Sequence, residues 1–268
     1  MIHPHTYIHQ NAKVATNVKI DPFSVIHQNV EIGEGTWIGS NVTIMDGARI
    51  GKNCRIFPGA VISAAPQDLK FEGEETSVEI GDNTTIREFV TIHRGTKDKW
   101  KTVVGNNCLI MAYSHIAHDC EIGNHCIMSN NTQIAGHVVM GDYAILAGMC
   151  AVHQFVKIGQ YSFIAGGSLV QKDVPPYIKA GRTPLSYAGI NSVGLKRKGF
   201  TVEKINEILD IYRFIYNKGM NTTQAMDYIE EEFPVTDERD EIVTFIRESG
   251  RGIIKRFSKT SIDEDLGN

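Results

Sequence analysis

Large aliphatic residues recur at every sixth position over the first two thirds of the chain. Counting in sixes from Ile2 to Val170, all but three of the 29 positions carry Ile, Val, Leu or Met, and the exceptions are Asp68, Glu74 and Asp98. A helix repeats every ~3.6 residues and a strand every two, so neither keeps this period. Stacked coils of three short strands do keep it, because each aliphatic then lies on its equivalent eighteen residues away. The pattern predicts a parallel β-helix.

A second column of small or β-branched residues lies two positions before each aliphatic, as at Thr6, Val18 and Ser24. All five cysteines of the chain belong to it, namely Cys54, Cys108, Cys120, Cys126 and Cys150. We therefore interpret them as buried core residues. The sequence contains no C-x-x-C pair, which argues against a zinc site or a disulfide.

Two segments interrupt the repeat, at about residues 64–78 and 93–103. Both are mixed in polar and charged residues, and the second contains the run Lys97-Asp98-Lys99-Trp100-Lys101. An otherwise regular solenoid gains function mainly where loops leave it. We expect these two loops to border a cleft.

The pattern changes after the repeats. Residues 176–200 predict a connector that ends in a basic segment, and helical periodicity then predicts helices over residues 202–216, 225–233 and 237–247. The polar residues 258–268 are typical of a disordered tail. We therefore divide the chain into a β-helix (1–175), the connector (176–200), an α-helical domain (201–257) and the tail (258–268).

Composition excludes several classes of function. The formal net charge is −4, which disfavours general binding to nucleic acid. The chain has no long apolar run, and its N-terminus lacks the basic and then apolar pattern of a signal peptide, so we expect no stable membrane insertion. The repeats begin at residue 2, so we expect no domain ahead of the three-sided prism that the β-helix forms. We also expect a cytoplasmic protein.

The eighteen-residue stacking rule brings three of the ten histidines together. Ala117-His118-Asp119 lies on one coil, Ala135-Gly136-His137 on the next, and His153-Gln154-Phe155 on the one after. Asp119 then stacks on His137, and His118 stacks on Gly136. The fold therefore predicts one patch with three imidazoles, a carboxylate, a carboxamide and a glycine.

Such a patch suits general-base catalysis. A neutral imidazole can accept a hydroxyl proton, and a neighbouring carboxylate orients the ring and stabilises its cation. His118 with Asp119, or with another acceptor nearby, fits this pair, and Gly136 leaves its backbone N–H open to a developing oxyanion. Because Cys120 points inward and no serine nucleophile is evident, we predict direct transfer to a bound alcohol, with neither cofactor nor metal.

The chain resembles the UDP-N-acetylglucosamine acyltransferase family in several segments, which follow the family's order along nearly the whole chain. They are Gln67-Asp68-Leu69-Lys70, Thr91-Ile92-His93-Arg94-Gly95-Thr96, His115-Ile116-Ala117-His118-Asp119-Cys120, Ala135-Gly136-His137, Ala151-Val152-His153-Gln154-Phe155, Asp173-Val174-Pro175-Pro176-Tyr177 and Gly194-Leu195-Lys196-Arg197. The third and the last are the most specific. The chain departs from the family at Val193, where an acidic residue is common, over residues 181–188, and in the second loop after Thr96.

The resemblance implies a left-handed parallel β-helix with a C-terminal α-helical domain, assembled as a homotrimer with sites between neighbouring prisms. It implies transfer of an (R)-3-hydroxyacyl group from acyl carrier protein to the 3-hydroxyl of UDP-N-acetylglucosamine, the first step of lipid A biosynthesis. His118 would be the general base, Asp119 its electrostatic partner and Gly136 the oxyanion donor.

The resemblance also implies a wider set of substrate-binding residues. They are Asp68 and Lys70 from the first loop, His93 at the donor arm, His115, His137, His153 and Gln154 in the sugar and acyl groove, Gly166 at the acyl tail, Asn191 and Arg197 at the nucleotide, and Lys198 facing the acidic carrier protein. From charge alone, the cluster Lys196-Arg197-Lys198 fits either a pyrophosphate or an acidic partner.

Other functions stay open. A 3-amino sugar nucleotide would present a similar sugar to the same base. A metal-dependent hexapeptide-repeat enzyme, such as a γ-type carbonic anhydrase, would use the histidines as zinc ligands but would not need the C-terminal helices or the basic cluster. The related N-acyltransferase would carry a uridine-binding domain ahead of its prism. A structural solenoid would need a flat, repetitive outer face.

Overall fold

The computed structural model describes residues 1–217 and 219–257. The chain winds into a three-sided prism of short strands, which a smaller helical part follows. The strands are β1 (Tyr7–Ile8), β2 (Lys13–Val14), β3 (Lys19–Ile20), β4 (Val25–Ile26), β5 (Glu31–Ile32), β6 (Trp37–Ile38), β7 (Thr43–Ile44), β8 (Ala48–Ile50), β9 (Arg55–Ile56), β10 (Val61–Ala64), β11 (Ser77–Ile80), β12 (Thr85–Ile86), β13 (Thr91–His93), β14 (Lys101–Val104), β15 (Leu109–Ile110), β16 (His115–Ile116), β17 (Glu121–Ile122), β18 (Ile127–Met128), β19 (Gln133–Ile134), β20 (Val139–Met140), β21 (Ile145–Leu146), β22 (Ala151–Val152), β23 (Lys157–Ile158), β24 (Phe163–Ile164), β25 (Leu169–Val170), β26 (Ile178–Gly181) and β27 (Ser186–Ile190).

Every third strand of the prism joins the same sheet. Sheet 1 runs β1-β4-β7-β10-β13-β16-β19-β22-β25, sheet 2 runs β2-β5-β8-β11-β14-β17-β20-β23, and sheet 3 runs β3-β6-β9-β12-β15-β18-β21-β24-β26-β27. All pairs are parallel except β26 with β27. Ile116 pairs with Ile134, which pairs with Val152. The predicted stacking of residues eighteen apart is therefore confirmed.

The aliphatic column fills the interior of the prism. From Ile20 onward its members are buried, whereas Ile2 is half exposed at the open first coil. Each buried large aliphatic stabilises the fold by roughly 1.5–3 kcal/mol. Since each coil packs only on its neighbours, the core is a one-dimensional stack.

The small-residue column has a second role, which is to satisfy carbonyl groups at the corners of the prism. The Ser24 hydroxyl donates to the Gly39 carbonyl at 2.7 Å, and the Cys108 thiol donates to the Gly123 carbonyl at 3.1 Å. Buried carbonyl groups need such partners. All five cysteines are buried and free, as predicted, and each of their thiols donates to a corner carbonyl.

The two interruptions leave the prism at the same corner. Loop 1 (residues 65–76) and loop 2 (residues 94–100) both link sheet 1 to sheet 2, as do the turns 117–120, 135–138 and 153–156. We call this edge corner 1–2, and we name corner 2–3 and corner 3–1 by the same convention. The loops contact each other, since the Lys97 amide donates to the Glu74 carboxylate at 3.0 Å.

The predicted connector is more ordered than its sequence indicates. Residues 176–200 contain β26, which extends sheet 3 in parallel, β27, which pairs with it in antiparallel fashion, and helix α1 (Ser192–Arg197). Pro175 and Pro176 precede β26, so neither removes a donor from its ladder. These strands do not follow the six-residue period, and the pattern therefore could not reveal them.

The remaining helices are α2 (Val202–Asn217), α3 (Thr222–Glu232) and α4 (Asp237–Arg247), close to the predicted bounds. Helix α3 begins three residues before the predicted start, because Asn221 forms a capping box with Gln224. The buried Tyr212 hydroxyl joins α2 to the prism by donating to the Pro176 carbonyl at 2.6 Å. No helix among the described residues is long and apolar enough to cross a membrane. The predicted tail, 258–268, lies outside the described residues.

Candidate active site

Corner 1–2 brings the predicted catalytic residues into contact. The backbone of one coil bonds to the next, with the His137 amide donating to the His118 carbonyl at 3.1 Å. The ring of His137 stands edge-on to His118, with centroids 5.1 Å apart, and stacks on Phe155 at 4.5 Å. Neighbouring coils therefore bring His118 and His137 together at this corner, as the stacking rule predicts.

His118 and Asp119 form a hydrogen-bonded pair. His118 Nδ1 lies 2.8 Å from Asp119 Oδ2, and the Asp119 carboxylate is fully buried while the His118 side chain is partly exposed. An ionised carboxylate can only accept a hydrogen bond. Nδ1 therefore carries the proton, and Nε2 presents its lone pair, as a general base requires.

Loop 2 supplies most of the hydrogen bonds that hold Asp119. The Thr96 amide and hydroxyl donate to its two oxygens at 2.9 and 2.7 Å, and the Lys99 amide donates at 3.2 Å. Burial raises the pKa of the Asp119 carboxyl, but these bonds and the one from His118 outweigh burial, and the net pKa lies below its ordinary value. Sequence reasoning missed Thr96 and Lys99 as site residues.

Gly136 provides the space in which the base lies. A Cβ atom at this position would lie only 2.7 Å from His118 Cε1 and 2.9 Å from His118 Nε2. Within the described part of the chain, the Gly136 amide donates no hydrogen bond. A free N–H beside the base could therefore receive a developing oxyanion.

His115 and His93 extend the group of imidazoles along the prism. His115 Nδ1 lies 2.7 Å from the Thr91 hydroxyl, and its ring meets the buried ring of His93 edge-on at 4.7 Å. Burial, with a smaller contribution from His118, lowers the pKa of His115. Burial also lowers the pKa of His93 to about 4, assisted by His115 and His118. Both rings are therefore neutral near pH 7.

The low pKa of His93 predicts that acid destabilises the fold. Between the ordinary pKa of 6.5 and the folded value of about 4, the unfolded chain binds a proton that the folded chain does not. The free energy of unfolding therefore falls as pH drops through this window, by about 2 kcal/mol from about pH 7 to about pH 5. We expect His93→Phe, which keeps a ring, to remove this part of the pH dependence.

Urea unfolding at fixed protein concentration, at both pH values, measures the effect. The matched control is His125→Phe, since His125 stacks on Tyr143 at corner 2–3. It therefore lies away from His93, His115, His118 and His137, which we call the histidine group. If the unfolding free energy of His93→Phe depends on pH as strongly as that of the wild type, His93 is not the source of this pH dependence.

The other residues predicted at corner 1–2 are more exposed. His153 Nδ1 donates to the Gln154 carbonyl at 3.1 Å, and both side chains lie on the coil after Gly136. Asp68 and Lys70 lie in loop 1, where the Asp68 carboxylate accepts a hydrogen bond from the Lys70 amide at 3.0 Å. Among the described residues, neither side chain forms a hydrogen bond or an ion pair with His93, His115, His118 or His137.

The remaining predicted residues lie at other corners. Gly166 is in the turn of corner 3–1 between β24 and β25. The Asn191 carboxamide caps α1 and donates to the Tyr161 carbonyl at 2.9 Å, and Lys198 Nζ lies 4.6 Å from the centre of the Tyr143 ring. Tyr143 and Tyr161 belong to corner 2–3, and Arg197 is exposed on α1. One chain therefore does not bring these residues to His118.

Two alternative chemistries find less support at corner 1–2. Burial raises the pKa of the Cys120 thiol to about 12, so it is a poor nucleophile. His118, Asp119 and His137 offer ligand atoms within 4.8 Å of one another, as a metal site would. However, each Asp119 oxygen already accepts two hydrogen bonds, and a cation would have to displace some of them. The geometry favours proton transfer.

Comparisons with known proteins identify the family. The family described as Udp N-acetylglucosamine O-acyltransferase, Domain 2, matches residues 173–254, and the bacterial transferase hexapeptide family matches residues 29–64 and 101–136. The chain is 54% identical to the acyl-[acyl-carrier-protein]–UDP-N-acetylglucosamine O-acyltransferase of Sulfurihydrogenibium sp. over 97% of each chain. It is 52% identical to the enzyme of the same name from Chlorobaculum parvum, over 96% of this chain and 98% of that one.

Solved structures give the same result. The UDP-N-acetylglucosamine acyltransferase from Bacteroides fragilis is 52% identical and superposes with a TM-score of 0.94, over 95% of this chain and all of that one. The Francisella novicida enzyme is 43% identical with the same TM-score, over 100% and 99% of the two chains. The predicted left-handed parallel β-helix with C-terminal helices is confirmed. The chain belongs to the acyl-[acyl-carrier-protein]–UDP-N-acetylglucosamine O-acyltransferase family.

Proposed function

We propose that this protein transfers an (R)-3-hydroxyacyl group from acyl carrier protein to the 3-hydroxyl of UDP-N-acetylglucosamine, the first step of lipid A biosynthesis. Family membership supports the donor and acceptor classes. One structural observation carries the chemistry: Asp119 holds the Nδ1 proton of His118, so that Nε2 is a free base beside the Gly136 amide.

The reaction follows from these positions. His118 Nε2 accepts the proton of the sugar hydroxyl as the oxygen attacks the carbonyl carbon of the thioester. Negative charge then develops on the carbonyl oxygen, where the Gly136 N–H can stabilise it. When the C–S bond breaks, the imidazolium returns the proton to the departing sulfur. Asp119 stabilises the transient cation throughout, and no covalent acyl-enzyme forms.

The complete site requires more than one copy of the chain. The predicted residues lie at three corners of one prism, and a side of six residues spans about 20 Å at about 3.3 Å per residue. A ring of copies would place corner 1–2 of one prism against sheet 3 of its neighbour, the side whose two edges are corner 2–3 and corner 3–1. This supports a homotrimer with sites between neighbouring prisms, in which Gly166, Asn191 and Arg197 come from the neighbour.

The exposed cations suit the proposed partners. Lys196, Arg197 and Lys198 form a cluster in a chain of net negative charge. Such a cluster can pair with the pyrophosphate of the sugar nucleotide or with an acidic carrier protein. We place the protein in the cytoplasm, where these substrates would be present.

An acyl-transfer assay tests the function directly. Purified protein would be given defined 3-hydroxyacyl carrier proteins with UDP-N-acetylglucosamine or with its 3-amino analogue. Rapid formation of the O-acyl product supports the proposal, whereas transfer to the amine alone would assign the other acceptor. Activity that depends on an added metal, with none on carrier-protein donors, would favour the metal-dependent alternative.

We expect Gly166→Met to shift the donor preference to shorter acyl chains. Gly166 is exposed at corner 3–1, and an added Cβ would meet only the Gly148 carbonyl oxygen closely, at 3.0 Å. A longer side chain can therefore project toward a neighbouring prism without disrupting its own coil. Excluding two methylene groups removes about 1.6 kcal/mol of binding, which is roughly tenfold in the ratio of kcat/KM between long and short donors.

The measurement is kcat/KM for carrier proteins that differ by two methylene groups, with Gly166→Ala as the matched control. An unaltered chain-length profile in Gly166→Met would count against Gly166 as the residue that limits the length of the acyl chain.

A further inference from the structure

Loop 2 reaches a second histidine besides His118. Asp98 lies between Thr96 and Lys99, the two residues that donate to Asp119. The Asp98 amide itself lies 3.3 Å from the Thr96 hydroxyl oxygen. The bonds from Thr96 and Lys99 to the Asp119 carboxylate therefore fix the backbone on both sides of Asp98.

The Asp98 carboxylate faces one particular atom of His137. Its Oδ2 lies 3.1 Å from Nδ1 of His137, whose side chain is only 14% exposed, whereas that of Asp98 is 62% exposed. Nδ1 of His137 is buried and has no hydrogen-bond partner among the described residues, so its contact with Asp98 is mainly electrostatic. The other ring nitrogen, Nε2, faces Asp119 Oδ2 at 3.9 Å, beyond hydrogen-bonding distance.

Packing fixes the plane of the His137 ring but not its proton. Phe155 covers one face, with an angle of 12° between the ring planes, and His118 meets the ring at 90°. Neither contact distinguishes Nδ1 from Nε2. A neutral imidazole carries one proton, and a nearby carboxylate favours the nitrogen that it faces. Asp98 is the nearer carboxylate, at 3.1 Å from Nδ1 against 3.9 Å from Asp119 to Nε2, and each Asp119 oxygen already accepts two hydrogen bonds.

We propose that Asp98 is a positioning residue that keeps the proton of His137 on Nδ1. Nε2 then presents its lone pair on the side of His118, where a hydroxyl of the acceptor sugar can donate to it. The consequence for the acceptor depends on the proposed function, whereas the position of the proton does not. Loop 2 would thereby decide which ring nitrogen carries the proton in both histidines, through Asp119 for His118 and through Asp98 for His137.

Nitrogen-15 NMR of histidine-labelled protein at about pH 8, where free histidine is neutral, tests the position of the proton. The His137 signals are assigned by their loss in His137→Gln. We expect a protonated Nδ1 and an unprotonated Nε2 in the wild-type protein, with the proton moving toward Nε2 in Asp98→Ala. The same tautomer in both proteins, or a wild-type proton on Nε2, would overturn the proposal.

Kinetics test the consequence. We expect Asp98→Ala to lower kcat/KM for the sugar nucleotide by about tenfold, the lower end of the effect of carboxylates that orient metal-binding histidines, with the KM for the acyl donor unchanged. Asp98→Glu should restore part of the activity. The matched control is Lys97→Ala, which removes a neighbouring loop charge that pairs with Glu72 at the surface.

Three outcomes distinguish the causes. A loss of unfolding free energy in Asp98→Ala together with an unmoved tautomer would reduce Asp98 to a structural residue and refute the proposal. Equal kinetics in Asp98→Ala and wild type would also refute it. If the wild-type protein transfers no acyl group at all, the proposed function fails, but the NMR result still decides the role of Asp98.

Discussion

Replacing His118 by alanine is expected to lower the rate of acyl transfer by about a thousandfold, within the range that general-base catalysis contributes. The imidazole is held by the 2.8 Å contact with the buried Asp119 carboxylate, and its Nε2 lies against Gly136. Among the described residues, the other rings of the histidine group lack such a bond to a buried carboxylate. We therefore expect no neighbour to replace the base.

The effect should appear in kcat, with little change in the free energy of unfolding. Removal of the ring leaves Asp119 with its three hydrogen bonds from loop 2. The control is His125→Ala, which deletes a histidine stacked on Tyr143 at corner 2–3. Activity surviving in His118→Ala at near the wild-type level would remove the proposed base, and an equal loss in both variants would point to a general defect.

Ile122→Asp is expected to yield insoluble protein, the largest effect on stability that we predict. Ile122 is 2% exposed in β17, and it pairs with Val104 on one side and Met140 on the other. The substitution removes a buried aliphatic and adds an unpaired carboxylate to a dry core. A cost of more than about 4 kcal/mol is a large part of the roughly 5–15 kcal/mol that typically stabilises a domain.

The stack amplifies this damage because each coil packs only on its neighbours. The matched control is Val139→Asp, which places the same carboxylate on the outer face of sheet 2, between Lys157 on one side and Glu121 on the other. Soluble expression and the wild-type melting temperature are expected for the control. If Ile122→Asp behaves in the same way, the assignment of the column is wrong.

The sequence by itself determined the prism and brought the predicted catalytic residues together. In a coiled stack, residues that touch across the fold are separated by a constant number along the chain, so a local period encodes tertiary contacts. This is why the positions of His118, Asp119, Gly136 and His137 along the chain are enough to group them. The same phase shows that Gly166 is not on the corner of His118, because their positions differ by 48, which is not a multiple of eighteen.

Only the tertiary structure decided what happens where the period stops. Thr96, Asp98 and Lys99 contact corner 1–2 because loop 2 folds back over it, and no hydrophobic pattern specifies the path of such a loop. Residues 176–200 likewise gain their strands by pairing with the end of sheet 3, a contact that does not repeat. The period fixes the position of a residue only where each coil repeats the one before it. Loop 2 and the strands β26 and β27 are each held by contacts that occur once in the fold.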